Sequence, residues 1–400
     1  MATYNVLLKG KMDRETLLAN AEAIGKMAEA EAMEADKNGH LSDKVSQAMK
    51  EAEFHKLMKP KKYGGHSVDL TTYTEMIRTV ARHSMAAAWL AYFYSAHEVW
   101  PAYLPPKGRD EVLGGDTLLA DVVAPVGKVE KDGEGFRLYG QWNFCSGVLS
   151  SDWVGLGAMA ELNEGEGPEY CLFVLPTSDV EIVRNWDTIG MRGTGSNGVL
   201  VEGTYVPPHM IVPAKNLLAT GIPVGGDYDK NDPVYRMPFM PLFLLGFPAV
   251  SIGGIERLIS IFQERTEKRV RVFKGGSNES KSGGSQRLLA ELKIELAACL
   301  GLLDRYVKIL EKWQEEGRNV VSDEEREEVF AIRGHIAAKT RDMAVKILTT
   351  LGGTAIYKGD PAELFTRDIL AVSSHPNSLW EDSMAAYGRT LFGLPGDPVW

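Results

Sequence analysis

The sequence predicts a mainly α-helical protein with a small β domain in its middle. Three observations lead to this fold class. Apolar residues recur at helical spacing from Asp13 to about Gly114, alternate with polar residues between Thr117 and Pro207, and return to helical spacing from about Tyr235. A chain of 400 residues is too long for one ordinary core. We therefore expect three domains: an N-terminal helical domain over residues 1–115, a β domain over residues 116–213, and a C-terminal helical bundle over residues 214–400.

The N-terminal helices are predicted from their apolar spacing. The first follows Asp13, and a second runs from Ser42 to Met58 with Ser42 as its N-cap. Residues 61–65, Lys-Lys-Tyr-Gly-Gly, interrupt the pattern. Apolar and mostly helical sequence follows from Leu70 to Leu104.

The middle domain is predicted from alternation over residues 136–146. Period two places Trp142, Phe144 and Ser146 on one strand face, in a row that suits a flat ring with a polar edge. The alternative is that Trp142 and Phe144 only fill the core of a sheet. Further strands are indicated at three segments bounded by Gly, Pro, Asn and Asp: Trp153–Met159, Cys171–Leu175 and Val199–Val206.

The C-terminal domain shows two long helical patterns. An apolar stripe typical of a bundle helix contains Leu289, Leu292, Leu296, Cys299, Leu303, Val307 and Leu310. A second helix is predicted from Asp323 to Leu351, with Gly352 and Gly353 as its C-cap. A Gly/Ser-rich loop is expected at residues 275–284. The most apolar stretch, Met240–Ile255, is interrupted by prolines and glycines, so we expect a core helix rather than a membrane span.

Composition and charge argue against several function classes. The formal net charge of −10 disfavours a nucleic-acid partner, because such binding needs a basic surface. Cys145, Cys171 and Cys299 show no metal-ligand spacing, so we predict no metal site and expect the reduced thiols of a cytoplasmic protein. The N-terminal residues lack the apolar run and cleavage site of a secretory signal.

Residues 193–198, Gly-Thr-Gly-Ser-Asn-Gly, satisfy the dinucleotide fingerprint G-x-G-x-x-G. That fingerprint requires a strand before it and a helix after it, since the pyrophosphate sits on the helix N-terminus. Here a strand-like segment, Val199–Val206, follows and ends at Pro207. We therefore interpret the glycines as a turn between strands, which could also close over a ligand, and expect no nicotinamide site.

Three motifs, in their order along the chain, resemble the acyl-CoA dehydrogenase superfamily, and within it the oxygenase components of two-component flavin-dependent monooxygenases. They are Tyr63-Gly64-Gly65, the segment Gly140–Gly147 followed by Asp152-Trp153, and Gly190–Ser196. Looser matches are Leu351-Gly352-Gly353, Arg367-Asp368-Ile369, His375 and Tyr387-Gly388-Arg389. The resemblance implies an N-terminal helical domain, a middle β-barrel or sandwich and a C-terminal four-helix bundle, usually assembled as a homotetramer.

The resemblance also implies a flavin held between the β domain and the C-terminal helices. Trp142, Phe144 and Ser146 would face the isoalloxazine ring, and Trp186 would close over it. The cofactor would be reduced FMN or FAD. It would be supplied by a separate NAD(P)H:flavin reductase, because no nicotinamide motif is present in the chain.

Two further positions belong to the implied cofactor site. Arg271, with Arg269 beside it, lies roughly where the superfamily anchors the flavin phosphate, and the planar donors of a guanidinium suit that group. A basic helix end explains these arginines equally well. Gly353 is the other position that the resemblance assigns to cofactor binding.

The region of the catalytic base distinguishes a dehydrogenase from a monooxygenase. Acyl-CoA dehydrogenases commonly carry the base in a Glu-Gly-Thr segment shortly after an Arg-Asp pair. Here Arg367-Asp368 is followed by no further carboxylate before Glu381. The monooxygenase branch has a histidine in this region, and His375 matches it. The resemblance therefore implies hydroxylation of an aromatic or heteroaromatic small molecule, with O₂ as cosubstrate, through a flavin C4a-hydroperoxide.

Three residues carry this implied chemistry. Ser146 would hydrogen-bond the hydroperoxide near flavin N5. His375 would remove a phenol proton as a base, since a histidine pKa near ~6.5 suits neutral pH. His97, which matches a second family histidine, would orient the substrate or stabilise the hydroperoxide. The alternatives are that His375 caps a turn before Pro376 and that His97 is a satisfied helix histidine.

Two other functions stay open. The chain could be a flavin dehydrogenase or oxidase with a displaced base, for which Glu381 and Asp382 are candidates. It could also be a catalytically silent homologue that keeps the fold in order to bind a ligand. The presence of both Ser146 and His375 favours the monooxygenase.

Overall fold

The structure is a computed structural model that describes residues 7–8, 12–272 and 275–396. Its N-terminal helices are α1 (Arg14–Ala30), α2 (Ala32–Asn38), α3 (Asp43–Glu51), α4 (Leu70–Ala81), α5 (Met85–Ala96) and α6 (Pro106–Leu113). Asp13, Asp69 and Ser84 begin α1, α4 and α5, because each side chain accepts a hydrogen bond from a first-turn N–H. The predicted helix from Ser42 to Met58 is wrong in its second half, since Glu53 adopts a left-handed φ of 56°.

The middle of the chain forms a seven-stranded mixed sheet. Its strands are β1 (Leu119–Asp132), β2 (Gly135–Cys145), β3 (Trp153–Ala160), β4 (Glu169–Pro176), β5 (Glu181–Val183), β6 (Asn197–Val206) and β7 (Ile211–Pro213). They are ordered β5-β6-β2-β1-β3-β4-β7, with β1 parallel to β3 and the other neighbouring pairs antiparallel. The first half of β1 pairs with β3 and its second half with β2. The predicted strands are confirmed as β3, β4 and β6.

The C-terminal part of the chain returns to helices. These are α7 (Phe239–Phe243), α8 (Gly246–Lys268), α9 (Gly283–Glu316), α10 (Asp323–Leu351), α11 (Pro361–Ser373) and α12 (Trp380–Leu391). A short hairpin of β8 (Val270–Arg271) and β9 (Ser277–Asn278) follows α8, so the expected Gly/Ser-rich loop is partly structured. The bounds predicted for α10 are confirmed: Ser322 and Glu325 form a reciprocal capping box, and Gly352 ends the helix with a φ of 76°.

Helix α8 is the core helix that the sequence predicts. With α7 it is long and apolar enough to cross a membrane, but 89% of its most apolar window is buried within the fold. Two glycines allow this close packing. A Cβ atom at Gly253 would lie 2.5 Å from Ala81 Cβ, and one at Gly254 would lie 2.4 Å from Met85 Sδ. The start of α8 therefore rests directly on α4 and α5.

The end of β2 departs from the period-two pattern. Its register with β6 slips by one residue between Trp142 and Cys145, which is a β-bulge. Phe144 takes up the extra step with a left-handed φ of 69°. As a result Cys145 is buried like Trp142, while the Phe144 side chain is 70% exposed. The expectation that Trp142, Phe144 and Ser146 share one strand face is therefore wrong.

Candidate active site

Ser146 lies directly after β2, at a buried junction between the sheet and α5. Its hydroxyl accepts a hydrogen bond from the indole N–H of Trp89, with an Nε1–Oγ distance of 3.0 Å. On its other side Ser196 Oγ lies 2.9 Å away, and Thr194 Oγ1 is 2.7 Å from Ser196 Oγ. Both belong to the glycine-rich segment 193–198. The turn predicted between strands is confirmed, and it brings two further hydroxyls to Ser146.

His375 follows α11 and begins the short 3₁₀ helix Pro376–Ser378. Its ring centroid is 4.8 Å from that of Phe247 and 6.0 Å from that of Trp89. Its Nδ1 accepts a hydrogen bond from the backbone N–H of Asn377 at 3.2 Å. The neutral ring therefore carries its proton on Nε2. His375 does cap a turn, as the alternative interpretation held, and its Nε2–H remains available for another partner.

The surroundings of His375 keep its ring neutral. Burial, and after it the positive charge of Arg333, lowers the pKa of His375 to about 4. Arg333 is fixed there because its Nε donates to the carbonyl of Asn377 at 2.6 Å. The expected pKa near 6.5 is therefore wrong for this structure. In this tautomer Nε2 carries the hydrogen and can donate it to another partner, and proton uptake at Nδ1 would require release of the Asn377 N–H.

His97 follows α5 and is buried against the start of β1. Its Nδ1 donates to the carbonyl of Leu119 at 2.6 Å, and its Nε2 lies 3.3 Å from Oδ2 of the buried Asp121. A neutral ring with its proton on Nδ1 would turn a lone pair toward an ionised carboxylate, and two acceptors repel each other. In the structure neither His97 Nε2 nor Asp121 Oδ2 has a hydrogen-bond partner, so two buried polar atoms face each other.

The surroundings of Asp121 perturb its carboxyl group. Burial raises the pKa of Asp121, and the neighbouring His97 and Trp100 oppose that rise. His97 is therefore not the satisfied helix histidine of the alternative interpretation, since only one of its ring nitrogens has a carbonyl partner.

An aromatic wall connects Ser146, His375 and His97. Trp89 and Phe93 lie on α5, with ring centroids 5.0 Å apart, and Phe93 is 4.9 Å from His97. Phe247 of α8 lies 4.8 Å from Trp89. The structure thus brings together the three residues that the resemblance marks as catalytic, although they come from three separate parts of the chain.

Sequence reasoning missed Trp89, Phe93 and Asp121. A signal for the first two was present, because Trp89, Phe93 and His97 recur at steps of four residues and so share one face of α5. No local pattern points to Asp121. Its proximity to His97 depends on where β1 packs against α5.

Trp186 and Phe144 form a second aromatic pair at the exposed edge of the site. Their rings meet edge to face, with centroids 6.0 Å apart. The indole N–H of Trp186 donates to the carbonyl of Met191 at 3.0 Å, and its backbone N–H donates to Asn197 Oδ1 at 3.2 Å. Trp186 is therefore held in place beside an exposed aromatic ring.

Trp142 lies inside the sheet and not at this edge. Its side chain is fully buried, and its indole N–H donates to the carbonyl of Gly157 at 2.9 Å. A Cβ atom at Gly127 would lie 2.3 Å from the indole ring, so the ring fills the space that this glycine leaves. The expected flavin contact of Trp142 is wrong, because this residue lies on the buried face of β2, before the bulge.

The loop that ends at Met191 is fixed by α11 and α2. Asp368 Oδ1 accepts a hydrogen bond from the backbone N–H of Met191 at 2.6 Å. Arg367 donates to the carbonyl of Ile189 at 2.6 Å and to both carboxylate oxygens of Asp36, at 3.0 and 3.2 Å. The Arg-Asp pair of the sequence motif therefore joins this loop to helices from both ends of the chain.

Arg271 and Gly353 make their contacts elsewhere. The Arg271 Nε lies 3.0 Å from Glu279 Oε2 within the β8–β9 hairpin region. Arg269 donates to the carbonyl of Leu351 at 3.2 Å, just before the exposed turn that contains Gly353. None of these contacts reaches Ser146, His375 or His97. The cofactor roles of Arg271 and Gly353 stay predictions.

Two family models match the chain. The acyl-CoA dehydrogenase N-terminal domain matches residues 14–104, and the acyl-CoA dehydrogenase C-terminal domain matches residues 245–378. Together they cover more than half of the chain. The C-terminal match includes Phe247, Arg333 and His375, and the N-terminal match includes the aromatic face of α5.

Curated relatives and solved structures agree with these models. The chain is 27% identical over 375 residues to the oxygenase subunit HsaA of a flavin-dependent monooxygenase from Rhodococcus jostii, covering 91% of this chain and 95% of the relative. It is 26% identical to the oxygenase component of p-hydroxyphenylacetate 3-hydroxylase from Acinetobacter baumannii, covering 94% and 88%. The structure of XiaF from a Streptomyces species, in complex with FADH2 and glycerol, superposes with a TM-score of 0.88 at 21% identity, covering 97% of each chain.

Proposed function

The chain belongs to the acyl-CoA dehydrogenase superfamily, and from that premise we propose that it works as the oxygenase component of a two-component flavin-dependent monooxygenase. It uses reduced FMN or FAD, delivered by a separate NAD(P)H:flavin reductase, and O₂ to hydroxylate a small aromatic or heteroaromatic molecule. One observation carries the proposal: a histidine, His375, and not a carboxylate lies against Trp89 of the aromatic wall. The same Trp89 donates a hydrogen bond to Ser146. Relatives at 26–27% identity are oxygenase components of this kind.

The residues around Ser146 fit a flavin. A flat conjugated ring needs an apolar face and a polar edge, and the site offers the exposed Phe144, the fixed Trp186 and the Ser146 hydroxyl. When bound, reduced flavin supplies the two electrons that activate O₂ for insertion of one oxygen atom. We assign the ring contacts to Phe144, Trp186 and Ser146, and the phosphate contacts to Arg271 and Gly353.

The aromatic wall between His375 and His97 lines the proposed substrate space. The rings of Trp89, Phe93 and Phe247 suit a planar apolar molecule, and their burial excludes water. His375 supplies a hydrogen bond from Nε2 to an oxygen atom at one end. The His97–Asp121 pair supplies buried polar groups at the other end.

The dehydrogenase alternative has less support. Its candidate bases, Glu381 and Asp382, are exposed in the first turn of α12. A base that removes a proton from carbon acts best where water is excluded. His375 occupies the equivalent region of the site and cannot replace a carboxylate in the observed tautomer, because its free ring nitrogen already carries a proton.

A cytoplasmic homotetramer is part of the proposal. Large apolar side chains lie exposed on the C-terminal part of the chain, where a partner subunit would cover them: Val272, Ile294, Ile356, Tyr357 and Phe392. The domain division at residues 1–115, 116–213 and 214–400 is also proposed, and the strands from Leu119 to Pro213 support it.

The central test is oxygen transfer in a single turnover. The protein is mixed with photoreduced flavin and ¹⁸O₂ in the presence of simple phenols or indoles. We expect one hydroxylated product that carries a single ¹⁸O atom. His375→Asn should lose product, whereas His335→Asn on α10 should retain it.

Two results would favour the alternatives. Anaerobic bleaching of oxidised flavin by an acyl thioester would identify a dehydrogenase. Failure to bind flavin in either redox state would identify a silent homologue. Flavin that reoxidises as fast as it does without protein, and yields no product with any aromatic tested, would contradict the monooxygenase.

A further inference from the structure

A hydrogen-bonded chain runs from Trp89 through three hydroxyl groups, and its direction follows from which atoms can donate. The Trp89 indole can only donate, so Ser146 accepts at that end. The Met191 carbonyl can only accept, so Thr194 donates its hydroxyl hydrogen there, at 2.8 Å. While Thr194 donates to Met191, the hydrogens between them point the same way, from Ser146 to Ser196 and from Ser196 to Thr194.

This direction makes Ser146 an acceptor toward any ligand. Its hydrogen is directed at Ser196, and one of its lone pairs receives the Trp89 N–H. The second lone pair is left for a partner. Ser146 is buried, with 8% of its surface exposed.

The chain also has a second possible direction. Met191 accepts from the indole N–H of Trp186 at 3.0 Å and from the backbone N–H of Thr194 at 3.1 Å. Its carbonyl therefore stays satisfied if the Thr194 hydroxyl turns away. Thr194 would then donate to Ser196, and Ser196 to Ser146. Both lone pairs of Ser146 would be used, and its own hydrogen would point at the ligand.

We propose that Thr194 and Ser196 are positioning residues that hold Ser146 as a hydrogen-bond acceptor and thereby favour reduced over oxidised flavin. This inference rests on the proposed function, in which Ser146 lies beside flavin N5. In reduced flavin N5 carries a hydrogen and donates, whereas in oxidised flavin N5 carries a lone pair and accepts. Reduced flavin fits the first direction of the hydrogen-bonded chain, in which Ser146 accepts. Oxidised flavin requires the chain to reverse, with loss of the hydrogen bond from Thr194 to Met191.

The variant Thr194→Val tests the chain because it keeps the side-chain shape and removes the terminal hydroxyl. Ser196 then turns its hydrogen toward Ser146, and Ser146 offers its own hydrogen to the site. The ratio of the Kd for oxidised FMN to the Kd for reduced FMN should fall about fivefold, the worth of one net hydrogen bond. Anaerobic titrations followed by fluorescence measure both constants without turnover.

Three further variants give the proposal its controls. Thr194→Ser keeps the hydroxyl and should restore the ratio. Ser196→Ala removes the group that accepts the Ser146 hydrogen, so the ratio of the two Kd values should also fall. This variant keeps the test available if Thr194→Val folds poorly. Thr340→Val removes an equally buried hydroxyl from α10, where it donates to backbone carbonyls, and should leave the ratio unchanged.

The decisive comparison adds Ser146→Ala. If Thr194→Val changes the ratio in the wild-type background and not in the Ser146→Ala background, the chain acts through Ser146 as proposed. An equal change in both backgrounds, or no change in either, overturns the inference while leaving the proposed function intact. If Ser146→Ala alters the binding of neither flavin form, the placement of the flavin beside Ser146 fails, and the inference fails with it.

Discussion

The indole N–H of Trp89 donates to the Ser146 hydroxyl over 3.0 Å, and this bond joins the buried face of α5 to the end of β2. The same indole ring lies 6.0 Å from the His375 ring. Trp89 therefore links the α5 and His375 part of the site to the end of β2. Its removal should affect the site in a way that loss of another buried indole does not.

Trp89→Phe should weaken flavin binding, and Trp142→Phe should not. Each variant loses one buried indole hydrogen bond, to Ser146 or to the carbonyl of Gly157 respectively. Each should therefore lower the free energy of unfolding by about 1–3 kcal/mol. Urea unfolding and flavin titration measure the two effects. Equal loss of flavin affinity in both variants would contradict the assignment of Trp142 to the sheet core.

His375→Asn should make the protein less sensitive to acid. The pKa of His375 is lowered to about 4 in the fold, so between pH 6.5 and 4 the unfolded chain binds a proton that the folded chain does not. His375 therefore leaves the free energy of unfolding undiminished above about pH 6.5. As the pH falls below that value, this residue lowers the free energy of unfolding by up to roughly 3 kcal/mol. Asparagine can still accept the Asn377 N–H, which preserves the turn.

The matched control for this effect is His55→Asn. Burial lowers the pKa of His55 to about 4 as well, against the opposing effect of Asp116, so this variant should also reduce acid sensitivity. Unfolding free energies at pH 7.5, 5.5 and 4.5 measure both slopes. Only His375→Asn should also abolish product formation. An unchanged slope for His375→Asn would show that its ring is not held neutral by the fold.

Asp121→Asn should be tolerated far better than Asp121→Ala. The amide of asparagine can donate to His97 Nε2, which lies 3.3 Å from the carboxylate oxygen that the amide replaces. Alanine removes that neighbour from a buried nitrogen and should cost about 1–3 kcal/mol of stability. Urea unfolding measures both variants. Equal destabilisation by the two substitutions would contradict the contact between Asp121 and His97.

Arg367→Lys should loosen the loop that carries Trp186. Lysine cannot reproduce the paired bonds to Asp36 together with the bond to the Ile189 carbonyl. We expect faster proteolysis between residues 185 and 191 and weaker flavin binding. Arg318→Lys is the control, because Arg318 forms a similar paired contact with Glu325 at a distant, more exposed position. Identical cleavage of both variants would argue against the role of Arg367.

Much of the fold could be predicted because helices and strands leave a local pattern. The bounds of α10 follow from its capping residues, and β3, β4 and β6 follow from alternation between turn residues. The end of α3 could not be predicted in this way. Glu53 takes a left-handed conformation, which the residue type glutamate does not predict.

The sequence by itself determined the order of helices, strands and helices, and it marked Ser146, His97 and His375 as the residues of interest. Only the tertiary structure decided how they are used. Trp142 is buried on the same face of β2 as Leu138, and a one-residue bulge after it turned Phe144 to the surface and Cys145 into the core, because strand parity depends on the register with β6. The packing of β1 and of the residues after α11 against α5 placed Asp121 beside His97, and His375 beside Trp89. Such contacts join residues far apart in the chain, so no local sequence pattern predicts them.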